Sequence, residues 1–192
     1  SMGEGYGPML VSKNDITLEE ASRAPIAIPG LKTSAYLALL LACGDVETAV
    51  VPFDEIIPRI NSGEFDSGVI IHEGQLTWKA HGLHLILDLG VWWNENNDGL
   101  PLPLGGNVVR RDLGEEACEN ISEWVKMSIQ HSINQPEEAL KFALQWGRGI
   151  DEETNSKFVK MYVNDRTIDY GSDGRASIRK FLSDGMKIGM ID

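Results

Sequence analysis

The stretch Val69-Ile70-Ile71-His72-Glu73-Gly74-Gln75-Leu76-Thr77-Trp78 decides how this chain reads. Three β-branched residues run into a histidine, followed by an acid, a glycine and a helix-like segment. A short β-branched run of this kind reads as a buried strand. It predicts a strand that ends at His72 and releases the imidazole at the carboxyl edge of a sheet, where open α/β sheets hold their ligands. A histidine beside an apolar run fits equally well as a hydrogen-bonded core residue, so the local pattern leaves both readings open. Imidazole is the side chain that most readily carries protons near neutral pH, which gives the functional reading its chemistry.

Upstream lies a second informative stretch, Pro29-Gly30-Leu31-Lys32-Thr33-Ser34-Ala35-Tyr36, directly after the compact strand Ile26-Ala27-Ile28. A strand, a tight turn and a helix opening near Thr33 would aim backbone N–H groups and two hydroxyls outward. Helix starts of this sort bind carboxylates or phosphates. Simple N-capping by Thr33 accounts for the hydroxyl without any ligand. The helix is expected to run through Leu37, Leu40 and Leu41 to a stop at Gly44.

Around these two stretches strand and helix alternate. Thr17-Leu18-Glu19-Glu20 has capping-box spacing, Thr48 to Phe53 is β-rich, and Asp54 to Asn61 reads as a short helix interrupted by Pro58. Leu83 to Leu89 is a further strand, with His84 a structural residue of its alternation. Gly3 to Gly7 reads as a flexible entry before the extended segment Pro8 to Ser12. Residues 10 to 90 therefore indicate a largely parallel α/β sheet. Past it, Val91-Trp92-Trp93-Asn94 suits core packing by default or the wall of an aromatic ligand's cleft. Leu100 to Asn107, with two prolines and two glycines, reads as a crossing segment. Arg110 is expected to pair with Asp112 rather than bind an acid.

From Gly114 the apolar residues fall at helical spacing: Ala117, Ile121, Trp124 and Ile129, then Leu140 and Leu144, then Phe158 and Tyr162, then Ile178 and Phe181. Pro136 suits a first helical turn, and Ser172 is a candidate cap for the last helix. The expected organisation is a leader and crossover over 1–9, an α/β lobe over 10–105 with the ligand-facing strand and helix ends, and a helical segment over 106–192.

Seventeen basic against 29 acidic residues give a net charge of -12 over 192 residues. No basic stripe is present, which argues against a nucleic-acid partner, although a few local donors can still hold a small anion. The longest apolar run, Tyr36 to Cys43, is far short of the roughly 20 residues a membrane span needs. Cys43 and Cys118 read as reduced thiols of a soluble cytoplasmic protein. Ser1-Met2 reads as a cloning remnant ahead of the natural start.

Taken together, the segments GYGP (Gly5 to Pro8), PGLKTSA (Pro29 to Ala35), GVIIHEGQLTW (Gly68 to Trp78), DLGVWW (Asp88 to Trp93) and GLPLPLGGNVVRRDLG (Gly99 to Gly114) carry a family resemblance. The chain resembles the 1,4-dihydroxy-6-naphthoate synthases of the futalosine route to menaquinone. The resemblance implies a type II periplasmic-binding-protein-like fold, two α/β lobes with ligand held between them. It implies a lyase that cleaves cyclic de-hypoxanthine futalosine to 1,4-dihydroxy-6-naphthoate with no metal or organic cofactor. The histidine of the HEG motif, His72, is the implied base, and Thr33, Ser34 and Ala35 are the implied substrate contacts. Thr33-Ser34 stands where the family commonly has two threonines, keeping a hydroxyl at each position. A C–C cleavage of this type needs a proton removed as charge shifts onto the aromatic system, and imidazole suits that work. Glu73 either tunes His72 or is simply an exposed or helix-start charge.

The resemblance also sets an expectation of something missing. Family members carry a further N-terminal stretch of roughly 80–100 residues, a small lobe's share, which builds much of the first lobe and one wall of the cleft. The helical segment here would then belong to an incomplete lobe, its apolar faces covered by one another, by a second copy in a homo-oligomer, or by a separate N-terminal half. Three functions follow as expectations: a synthase acting on a small anionic aromatic precursor, a non-catalytic binding module, or a truncated or split enzyme completed by a partner.

Overall fold

The sheet is built where β-branched and small apolar residues alternate between two covered faces. In the computed structural model, which describes residues 1–146 and 151–192, the elements run β1 (Met2–Gly3), β2 (Met9–Ser12), α1 (Leu18–Ala21), β3 (Ile26–Ile28), α2 (Ser34–Cys43), β4 (Thr48–Val50), α3 (Ile56–Ser62), β5 (Ser67–Ile70), α4 (Gly74–Thr77), β6 (His84–Asp88), α5 (Leu89–Asn96) and β7 (Leu102–Pro103). Helices α6 (Glu115–Asn134), α7 (Pro136–Ala143), α8 (Glu152–Tyr162), α9 (Asp165–Ile168) and α10 (Gly171–Lys187) follow. The protein is α/β.

Five strands form one sheet in the order β4-β3-β5-β2-β6. β3 runs parallel to β4 and to β5, with Ile28 opposite Val50 and Ala27 opposite Gly68. β2 is antiparallel to both β5 and β6, placing Met9 opposite Ile70 on one side and Asp88 on the other. Four strands therefore share a direction, and one antiparallel strand lies between two of them. Successive residues of a strand face opposite sides, and the core divides accordingly. Leu10, Ile26, Ile28 and Val69 join one apolar cluster with Leu39 of α2, Trp93 of α5 and Phe181 of α10. Val11, Ala27 and Ile70 join the other with Ile56 and Ile60 of α3.

The chain divides into two compact units, Gly3–Leu104 with Ser172–Asp192, and Ser1–Met2 with Gly105–Gly171. The segment expected over 106–192 is thus divided, because α10 packs into the α/β unit. Its Phe181 is 3% exposed and meets Trp93 edge-on at 5.2 Å. Buried Ser177 accepts from Trp93 Nε1 at 2.9 Å and donates its own proton to the Pro101 carbonyl at 2.6 Å. Helical periodicity shows which face of α10 is apolar, but not which core receives it. Ser177→Ala would leave the indole N–H buried without that acceptor. Urea unfolding should show a loss of about 1–3 kcal/mol.

Other boundaries shift for local reasons. The β-rich run from Thr48 stops at Val50, because Pro52 starts a turn closed by the Glu55 N–H on the Pro52 carbonyl at 2.8 Å. α3 runs through Pro58, its third residue, where the missing N–H would have had no intrahelical partner. The strand before His72 ends at Ile70, and Val91 to Asn94 lie inside helix α5. Ser172 does not cap α10; the helix opens at Gly171, whose N–H donates to Asp169 Oδ1 at 2.7 Å.

In the helical unit Pro136 opens α7, and the Asp151 carboxylate caps α8 by accepting from the Thr154 N–H at 2.9 Å. Arg110 pairs with Asp112. Among the described residues of 105–171, only Asn155 is buried. Both cysteines are free, and burial pushes the Cys43 thiol up to about 11. Among the described residues no helix is long and apolar enough to cross a membrane.

Candidate active site

Because β4, β3, β5 and β6 point the same way, the residues that follow them gather at one sheet edge. That edge carries Phe53 after β4, the Pro29–Thr33 turn after β3, His72 after β5 and Asp88 at the end of β6. The entry to the antiparallel strand β2 reaches the same edge, since Met9 lies opposite both Ile70 and Asp88. All of these residues belong to the α/β unit.

His72 sits two residues past β5, exposed, with a backbone φ of 55°. This left-handed region is uncommon for a residue with a Cβ, although histidine is enriched there, and such conformations concentrate at functional sites. The Ile70 side chain anchors the strand in the core. Beyond it the Gln75 N–H donates to the His72 carbonyl at 3.1 Å, and Gln75 itself is buried. The imidazole lies against the Phe53 ring, with centroids 4.7 Å apart and planes tilted by 57°. Glu73 precedes the first turn of α4 and makes no capping hydrogen bond to it.

On the neighbouring strand, Thr33 Oγ1 accepts from the Tyr36 N–H at 3.1 Å and donates to the Gly30 carbonyl at 2.8 Å. Ser34 Oγ donates to the Leu104 carbonyl at 2.6 Å, and Ala35 is buried. Both hydroxyl protons are thus committed to the protein's own carbonyls. A ligand at this helix start would meet the N–H donors of Ser34 and Ala35, which helix geometry leaves without intrahelical acceptors. That set favours a carboxylate or a carbonyl oxygen. β3 and β5 are directly paired, so His72 and the Thr33–Ala35 helix start stand at adjacent strand ends.

Two features of this edge escape a reading of motifs alone. Asp88 caps α5 by accepting from the N–H groups of Gly90 at 2.8 Å and Val91 at 3.1 Å. Burial pushes its carboxyl up while those two hydrogen bonds pull it down, with burial the larger effect. Asp88→Ala should cost about 1 kcal/mol and Asp88→Asn little, since asparagine caps as well. With the folded-state value raised, the folded chain binds more protons than the unfolded one through the carboxylate range. The Asp88 contribution to stability is therefore greatest in acid and falls as pH rises through the folded value. Urea unfolding should accordingly find wild type gaining on Asp88→Asn as pH drops from neutral toward about 4.

The other feature is the glycine-rich opening, which is a packed crossover rather than a loose entry. A Cβ on Gly90 would overlap the Tyr6 carbonyl, and one on Gly7 would come within 2.9 Å of the Gly90 nitrogen. Only glycine permits two backbones to pass this closely. The aspartate-to-helix transition in Asp88-Leu89-Gly90 was the available signal for the cap. Nothing in GYGP alone signals the approach. Among the described residues no group of three His, Cys, Asp or Glu side chains could hold a metal ion.

The menaquinone biosynthesis family model matches residues 1–186. This chain belongs to that family. Within the menaquinone biosynthesis family it is similar to the 1,4-dihydroxy-6-naphthoate synthase of Thermus thermophilus, 34% identical over 99% of this chain and 69% of that protein. It is also similar to the enzyme of the same name from Streptomyces coelicolor, 32% identical over 100% of this chain and 69% of that protein. A crystal structure of an Archaeoglobus fulgidus protein superposes with a TM-score of 0.93 at 41% identity, covering 100% of this chain and 71% of that one. Menaquinone biosynthesis is therefore the setting of this chain, and an enzymatic role is the role its named relatives hold.

Proposed function

We propose that this chain is a 1,4-dihydroxy-6-naphthoate synthase, a cytoplasmic lyase that opens cyclic de-hypoxanthine futalosine by base-initiated C–C cleavage. His72 removes a proton from a hydroxyl or an acidified carbon. From a hydroxyl, the O–H electron pair forms a carbonyl on the departing fragment as the adjacent C–C bond breaks, and that bond's electrons move into the ring system that becomes aromatic. The Thr33–Ala35 helix start holds the substrate's anionic group and fixes its orientation, which lowers the entropic cost of the reaction. The observation that carries this reading is the shared carboxyl edge, where an exposed, left-handed His72 and the opening of α2 stand on paired strands. The reading takes the fold to be periplasmic-binding-protein-like, type II, with the α/β unit as one lobe. One antiparallel strand set among four parallel ones supports it.

The same proposal includes a partner for the helical unit, either a second copy of the chain or a separate N-terminal half. No residue of α6 or α7 is fully buried, and Trp124 and Phe142 stand 65% and 63% exposed. Apolar surface of this kind marks interaction sites. The test is turnover of the cyclic substrate, followed by naphthoate absorbance, with and without an added N-terminal half. Product in either condition supports a synthase. Tight substrate binding with no product in both would replace the enzyme by a binding module.

A further inference from the structure

Phe53 is a half-buried aromatic side chain that takes part in neither apolar cluster of the α/β unit. Its ring instead meets the His72 imidazole at 4.7 Å. β4 and β5 are not neighbours, since β3 lies between them. A contact between the residues that follow β4 and β5 therefore spans the carboxyl end of β3, beside the turn that leads to Thr33.

Both partners are held from behind. The Pro52–Glu55 turn that presents Phe53 is flanked by Val51 and Ile56, which are 1% and 0% exposed in the same cluster. On the other side, buried Ile70 and Gln75 flank the His72 turn. The two turns thus place an aromatic face against the His72 imidazole. The direction of the imidazole bears on its proposed role, because small misplacements of a reacting group cost large factors in rate.

We infer that Phe53 is a positioning residue for His72, its ring holding the imidazole in one orientation at the carboxyl edge; the inference rests on the proposed role of His72 as base. Phe53→Leu fills space without a ring, and Phe53→Tyr keeps the ring. Because Phe53 lies outside both cores, each variant should keep the wild-type amide spectrum.

Two readouts test the role. In wild type the NMR signals of the His72 ring should be displaced by the Phe53 ring current, with His81, His84 and His131 as internal references. Phe53→Leu should remove that displacement and lower kcat by roughly tenfold or more with KM within about twofold. Phe53→Tyr should preserve both. Unmoved His72 signals in Phe53→Leu would overturn the inference, as would moved signals with unchanged kcat, or Leu and Tyr variants that behave alike. A wild-type chain that turns nothing over would overturn the proposed reaction instead. The ring signals would then decide the contact by themselves.

Discussion

His72→Gly should lower turnover of the cyclic substrate by roughly 10²–10⁴-fold, the usual contribution of a general base, while leaving the chain about as stable as wild type. The second half of that expectation comes from the backbone. At φ 55° a residue with a Cβ carries strain that glycine does not. A non-glycine residue held in such a region costs about 1–3 kcal/mol. Glycine recovers part of that and forfeits the ring contact with Phe53, worth about 0.5–1.5 kcal/mol, so the two effects nearly cancel. His72→Ala forfeits the contact and keeps the strain, so it should unfold more easily than His72→Gly. Equal catalytic loss with stability ordered glycine above alanine is the signature of a base on a strained turn. If alanine proves the more stable of the two, His72 is not held left-handed.

Gly90→Ala should destabilise the α/β unit by about 3 kcal/mol or more, at the upper end of what overpacking costs. The added Cβ would overlap the Tyr6 carbonyl, and backbone cannot move aside as a flexible side chain can. The displaced elements would be the crossover that feeds β2 and the first turn of α5, both at the edge that carries His72. Activity should therefore fall with stability rather than independently of it. Gly74→Ala is the control, because its Cβ would meet only ordinary contacts at 3.5 Å in a helix that favours alanine. Thermal unfolding of the two variants side by side measures the difference. A Gly90→Ala chain that melts with wild type would mean the crossover does not pack against α5 as described.

The sequence made much of this edge legible because strands followed at once by turn residues expose their ends. Ile26-Ala27-Ile28 before Pro29-Gly30, and Val69-Ile70-Ile71 before His72, each identified a carboxyl end in isolation. The capping residues Thr17 and Thr33 and the stop at Gly44 were readable because caps are local hydrogen-bonding events. What stayed hidden depends on contacts between distant residues. The placement of α10 on Trp93 joins positions 84 residues apart through Ser177. The Phe53–His72 contact needs the strand order, which no local pattern contains. The closeness of Tyr6 and Gly90 needs the three-dimensional crossing of two backbones, so the same glycines read from sequence as mere flexibility. Likewise Pro58 reads as an interruption unless the helix start is known to lie at Ile56, where proline three residues in costs no hydrogen bond.

The proposed chemistry happens at the carboxyl edge of β3 and β5. The most direct measurement is a crystal structure of the His72→Asn variant with the cyclic substrate bound, since asparagine tolerates the left-handed turn and cannot serve as the base. The anionic group of the ligand should sit on the Ser34 and Ala35 N–H groups. The proton to be removed should lie at hydrogen-bond reach of residue 72, about 3 Å between heavy atoms or one water further. A substrate seated elsewhere on the chain, or at this edge with its reacting carbon turned away from residue 72, would contradict it.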